Sequence, residues 1–177
     1  MGDDKFQNKY RISSARLQTW DYASNGAYFI TICTKNRVHY FGKIENEKMI
    51  LSNVGVITDL LWYEIKNHAK NVELGQFVVM PNHLHGILIL NNNDNGGNIG
   101  NVGKKRFQNQ GKNSLSSIVG SYKSAITKHC NRLEFEFDWQ YRFHDHIIRN
   151  TQSFQKIQNY IANNPKNWKN DKFYGNE

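Results

Sequence analysis

Cysteine, proline and acidic side chains are all scarce in this 177-residue chain. The two cysteines, Cys33 and Cys130, lie far apart and belong to no Cys-x-x-Cys pair. That excludes a zinc ribbon and leaves two buried free thiols in a reducing compartment as the expectation. No apolar run approaches the roughly eighteen residues of a membrane helix, and the opening residues do not read as a charged-then-apolar leader. Neither secretion nor membrane spanning is expected, and the chain is assigned to the cytoplasm. Only 15 Asp and Glu stand against 23 Lys and Arg, which gives a net charge of +8 and a pI near 9.5. Such a surplus favours a polyanionic partner, nucleic acid before membrane. No Gly-x-x-x-x-Gly-Lys loop is present, and no Ser/His/Asp triad can be picked out.

What remains is a globular composition, 38% hydrophobic and 13% aromatic. At this length one domain can bury roughly 70% of its unfolded surface without staples. Residues 1–20 are polar and basic and read as an N-terminal arm. The β-branched and aromatic stretch 28–33 predicts a strand, and 38–44 and 48–51 predict a hairpin. Ser52 is placed to cap a helix running to about residue 68, with Ile57, Leu61 and Ile65 on one face. Strands are predicted over 72–80 and 83–90, separated by Pro81-Asn82, which is either a tight connection or a bend. The Asn/Gly-rich and then basic stretch 91–113 cannot pack a core and is expected to be a mobile loop. From Ser114 a helical stripe returns with Leu115, Ile118, Val119, Tyr122 and Ile126. Strand character follows over 135–141 and 143–149. Thr151 is expected to cap a last helix ending near Asn164, since Pro165 disfavours helical geometry at the residue before it. This order predicts an α+β domain, an antiparallel sheet covered by helices.

Two histidines stand out. His83 and His85 sit one residue apart in a hydrophobic strand, so both side chains leave the same face while Leu84 leaves the other. Two imidazoles side by side can hold a divalent ion if a third ligand arrives from elsewhere. On the last helix, Tyr160 and Asn164 are four residues apart and stack on one side. They fall roughly 90° and 50° from the centre of the apolar stripe of Phe154, Ile157 and Ile161, at the margin of the buried face. A site built from His83, His85 and the Asn164 carbonyl oxygen suits Mg2+ or Mn2+ better than structural zinc. Tyr122 is a rival hydroxyl, but it lies on the core stripe of its own helix.

The segment Met80-Pro81-Asn82-His83-Leu84-His85-Gly86 resembles the His-hydrophobic-His motif of the HUH endonucleases, whose sheet is ferredoxin-like or RRM-like. Tyr160-Ile161-Ala162-Asn163-Asn164-Pro165 resembles the Tyr-Ile-x-x-Asn-Pro ending of their single-tyrosine transposase branch. Asp21-Tyr22-Ala23-Ser24-Asn25-Gly26-Ala27-Tyr28-Phe29-Ile30-Thr31 fits the same branch, as do Trp139-Gln140 and Asp145-His146-Ile147-Ile148-Arg149. The likeness runs from about residue 10 to Trp168 and is similar above all to the REP-associated tyrosine transposases.

The resemblance implies a domain over 21–168 followed by a tail, 169–177. It implies that Tyr160 attacks a phosphodiester of single-stranded DNA to leave a 5′-phosphotyrosine, with His83, His85 and Asn164 holding Mg2+ or Mn2+. It further implies hairpin-bearing single-stranded DNA as partner and a cytoplasmic, nucleoid-associated protein. A homodimer is among the expected assemblies, because the family includes dimers that exchange their tyrosine helices as well as monomers. Arg11, Arg16, Trp20, Tyr22 and Lys123 are candidate DNA contacts, the cations for phosphates and the rings for unpaired bases. The alternatives are an HUH initiator of replication or mobilisation, and a domesticated, non-catalytic hairpin-binding protein.

Overall fold

The computed structural model describes residues 24–91 and 114–175. The N-terminal arm, Arg11, Arg16, Trp20, Tyr22 and all but the first residue of the predicted 91–113 loop lie outside them. Four strands, β1 (Gly26–Cys33), β4 (Val72–Met80), β5 (His83–Leu90) and β6 (His144–Ile148), form one sheet in the order β4-β5-β1-β6. All its pairings are antiparallel. A separate hairpin, β2 (Gly42–Glu45) and β3 (Lys48–Leu51), turns on Asn46 and Glu47, both at positive φ. Helices α1 (Asn53–His68) and α2 (Leu115–Arg132) complete the β-α-β-β-α-β order of a ferredoxin-like unit, and α3 (Thr151–Asn163) follows. The expected α+β class and antiparallel sheet are therefore present.

Caps start each helix. The Ser52 hydroxyl accepts from the Gly55 N–H at 3.0 Å, and the Ser114 hydroxyl accepts from the Ser117 N–H at 3.3 Å. The third cap differs from expectation: it is Asn150, whose Oδ1 accepts from the Ser153 N–H at 2.8 Å, so Thr151 is already helical. Two predicted strands also shrink. The stretch 38–41 is irregular, leaving only Gly42–Glu45 paired. The stretch 135–141 alternates inward and outward like a strand, yet among the described residues its only bridge is Thr34 with Trp139. Its inward rings, Phe135 and Phe137, pack on the core.

Because side chains alternate across the sheet, its two faces have different tasks. One face presents Tyr28, Ile30, Ile32, Leu84, Leu88 and Leu90 to α1 and α2, forming the main core with Trp62, Ile118, Tyr122 and Ile126. Trp62 stacks on Phe77 and lies over Gly86, where any added Cβ would collide with the indole. The buried centre of α1 is thus Val54, Thr58, Trp62 and Ile65, one step around from the predicted face. On the opposite face Ile87, Ile148 and Ile161 make a smaller cluster that anchors α3. Fully burying a side chain such as Ile161 contributes about 1.5–3 kcal/mol. His83 and His85 share this second face, so the packing of α3 decides what stands over them.

Candidate active site

Met80 pairs with His83, so Pro81-Asn82 is a two-residue hairpin turn, which settles the choice between connection and bend. His83 is 0% exposed and His85 1%. The outer nitrogen of each ring is fixed by a neighbour. His83 Nδ1 lies 2.9 Å from Asn82 Oδ1, and His85 Nδ1 lies 2.9 Å from Thr31 Oγ1 on the adjacent strand. Asn82 in turn donates from Nδ2 to the Phe173 carbonyl at 2.9 Å, so its oxygen must face His83. An amide oxygen only accepts. His83 therefore carries its proton on Nδ1 and turns a bare Nε2 lone pair inward.

The two Nε2 atoms meet 3.1 Å apart. Burial first, then the charge of the neighbouring ring, pushes the His83 pKa well below its ordinary value, and burial lowers that of His85 to about 3. Both rings are neutral and able to ligate a cation.

Helix α3 brings Tyr160 and Asn164 over this pair, as the one-turn spacing predicts. Tyr160 Oη stands 3.2 Å from His85 Nε2, and the ring remains 44% exposed, so strand and solvent both reach it. Asn164 is more buried than a margin position, at 1% exposed. Its Nδ2 donates to Asp171 Oδ2 at 3.2 Å, while its Oδ1 is buried with no hydrogen-bond partner. Burial, with Asp171 as the second cause, raises the Tyr160 pKa, so the resting side chain is a phenol.

Asp171 is the residue the sequence reading missed. A short 3-10 turn, Trp168–Asn170, bends the chain back after Pro165, and Asp171 follows it. The Phe173 N–H donates to its Oδ1 at 2.7 Å, and Tyr160 Oη reaches its Oδ2 at 3.5 Å. One nitrogen from each of His83 and His85 and one oxygen of Asp171 all lie within 4.8 Å of one another. Two neutral imidazoles, a carboxylate and an orphaned amide oxygen form a donor set that fits a divalent cation with open positions. An acceptor as buried as Asn164 Oδ1 is costly to leave without a partner, and a cation would satisfy it. The only sequence signal for Asp171 was the pair of large aromatics flanking it, Trp168 and Phe173, in an otherwise polar tail; both are buried.

The other named residues fall elsewhere. Tyr122 is buried in the main core, where its hydroxyl donates to the Thr58 carbonyl at 2.8 Å and burial raises its pKa well above the ordinary value. Lys123 is carried by α2, across the sheet from the histidines. Its Nζ donates to the carbonyls of Gln140 and Tyr141 at 2.8 and 3.1 Å.

No model of a known protein family matches the chain. A solved structure of a REP-associated tyrosine transposase bound to a REP hairpin superposes with a TM-score of 0.60 at 22% identity, covering 89% of this chain and 74% of that one. The chain therefore has the fold of that class of transposase. An uncharacterized protein of Haemophilus influenzae is 36% identical over 165 residues, covering 91% of this chain and 92% of that protein, and the two belong to one family. Among the described residues no helix is long and apolar enough to cross a membrane.

Proposed function

We propose that this protein is a metal-dependent single-stranded DNA transposase that cleaves and rejoins DNA at hairpin sites through a 5′-phosphotyrosine. The observation that carries the reading is the meeting of Tyr160 Oη, two buried imidazole nitrogens and the Asp171 carboxylate within one cluster. A core or a plain binding surface has no use for four such groups facing one another.

The chemistry follows from the residues. Tyr160 Oη attacks phosphorus as the bond to the 3′ oxygen breaks, leaving the 5′ phosphate on the tyrosine and a free 3′-hydroxyl on the other fragment. A phenol near pKa 10 is only about 0.1% ionised at pH 7, and burial here disfavours ionisation further. Its proton has to leave as attack proceeds. Asp171 Oδ2 is the carboxylate within reach, and the exposed edge of the ring opens to solvent. A divalent ion, when bound by His83, His85 and the oxygens of Asp171 and Asn164, supplies Lewis-acid stabilisation of the charge developing on the phosphate. Thr31 and Asn82 keep the imidazoles aimed inward, as partners of metal-ligating histidines do. The phosphotyrosine conserves the energy of the broken bond, so rejoining needs no nucleoside triphosphate.

The hairpin in the solved transposase complex supports hairpin DNA as the substrate, and the surplus of cations suits the phosphates. Incubation with hairpin-bearing single-stranded DNA and magnesium or manganese should leave DNA covalently on the protein, and a chelator should prevent it. No adduct across several hairpins taken from repeats near the gene would favour the non-catalytic alternative.

A further inference from the structure

Arg37 closes a short 3-10 turn, Lys35–Arg37, directly after β1. Asn36 and Arg37 both hold left-handed backbone, with φ of 53° and 60°. That conformation costs a non-glycine residue roughly 1–2 kcal/mol, and it persists only where the surroundings impose it. Here they do. The Lys35 N–H donates to the Asp138 carbonyl at 3.0 Å, and the Thr34 hydroxyl donates to the carbonyls of Val38 and Asn82 at 2.7 and 3.0 Å.

The turn delivers the guanidinium to the site. Its central carbon lies 4.0 Å from the centre of the Phe173 ring, and that ring lies 4.5 Å from the His83 imidazole. Lys172 places its Nζ 4.7 Å from the same Phe173 ring. Arg37 Nη1 is buried and has no acceptor. Among the described residues neither Arg37 nor Lys172 has an ion-pair partner. A buried cationic N–H without an acceptor costs more than a lost neutral hydrogen bond, and the aromatic face compensates only part of the charge. An anion arriving with the ligand would satisfy it, and a guanidinium edge matches phosphate oxygens in pairs.

We propose that Arg37 and Lys172 form an anion subsite beside the histidine pair, taking a backbone phosphate next to the one that is cleaved. The assignment of that anion to a DNA strand rests on the function proposed above. The site lies one aromatic ring away from His83, so neighbouring phosphates of a single strand can meet both.

The test uses the full chain in chelator, where nothing is cleaved, and an oligothymidylate of about twelve nucleotides, within the span of such surfaces. Affinity is measured across a range of salt. Arg37→Gln should bind about tenfold more weakly at low salt, with the slope of log K against log salt shallower by about 0.7. Arg37→Lys, which keeps the charge, should recover most of that slope. Lys172→Gln is at an exposed position and should lose a similar slope increment, which keeps the test valid if Arg37→Gln folds poorly. Parental affinity and slope in both Gln variants would overturn the subsite. So would an equal loss in Lys128→Gln, on α2 across the sheet, because the effect would then be one of net charge. A parent that forms no covalent adduct with metal would refute the transposase reading and leave this binding result intact, so the two failures are distinguishable.

Discussion

Replacing Asp171 with Asn keeps the size of the side chain and one acceptor oxygen but removes a negative charge from the group around the histidines. The donor atoms of His83, His85 and Asp171 lie within 4.8 Å of one another, so an ion between them would touch the carboxylate directly. Two unit charges about 4 Å apart interact by about 4 kcal/mol at an effective dielectric near 20. Asp171 is only half-buried, and solvent screens much of that. A loss of about 10–100-fold in affinity for Mn2+ is expected, close to the effect of removing an outer-shell partner. That corresponds to about 1.4–2.7 kcal/mol. The same change relieves one cause of the raised Tyr160 pKa, so the phenol ionises more readily. At saturating metal that gain is set against the loss of the carboxylate within reach of the phenol proton, so metal affinity and not the adduct rate reads the change in charge. Calorimetric titration of the DNA-free protein with Mn2+ separates Asp171→Asn from Asn164→Ala, which removes the orphaned amide oxygen but leaves the charge. If Asp171→Asn binds Mn2+ like the parent while Asn164→Ala loses affinity, Asp171 only positions Asn164 through its hydrogen bond, and the reasoning is wrong.

Two further outcomes follow from the histidines. Replacing His83 or His85 with Ala should greatly reduce cleavage while leaving much of the hairpin binding, because phosphate contacts supply most of the affinity; full cleavage by the double variant in the same magnesium or manganese buffer would contradict the metal site. The metal-free fold should also lose stability in acid. His85 titrates near 3 in the folded chain against 6.5 ordinarily, and His83 is shifted the same way. In this window the unfolded chain binds protons that the folded chain does not. Stability is then full above about pH 6.5 and falls by about 1.4 kcal/mol per pH unit for His85 as pH drops towards 3, with His83 acting in the same direction. Urea midpoints measured across that range in chelator would expose a flat profile if the rings were not held neutral.

Much of this architecture is legible in residue patterns. The histidine strand 83–90 and the strand 72–80 are observed with the bounds that alternation and β-branched content suggest. Ser52 announces its helix through capping chemistry and an apolar face, and the apolar stripe from Leu115 announces the next helix, which Ser114 caps in the fold. The failures share a cause, which is that partners are invisible in one dimension. Alternation in 135–141 reports inward-facing rings, but whether a ladder forms depends on a neighbouring strand, and among the described residues there is one bridge, Thr34 with Trp139. Asn150 and Thr151 both suit a cap, and only backbone geometry chooses between them. At the site, the strand period puts His83 and His85 on one face and the helix period puts Tyr160 and Asn164 on one side of their helix, though Asn164 lies deeper than the margin. Asp171 escapes because no period governs a turn: it reaches the histidines through the fold-back after Pro165, held by Phe173 and Asn82. Asn82 read as punctuation in the sequence, and in the fold it orients His83.

The most direct test of the central claim concerns the Tyr160 oxygen. Phe at that position keeps the ring and its edge contact with Phe29 but removes the atom that attacks phosphorus. Loss of a half-exposed hydroxyl should cost the fold about 1 kcal/mol or less. Parent, Tyr160→Phe and Tyr122→Phe are each incubated with magnesium and hairpin-bearing single-stranded DNA labelled on the 3′ side of the cut, then run on a denaturing gel. The account predicts a shifted, covalent band in the parent and in Tyr122→Phe and none in Tyr160→Phe at any metal concentration. A shifted band that survives in Tyr160→Phe and disappears in Tyr122→Phe would move the nucleophile to the other helix and contradict it.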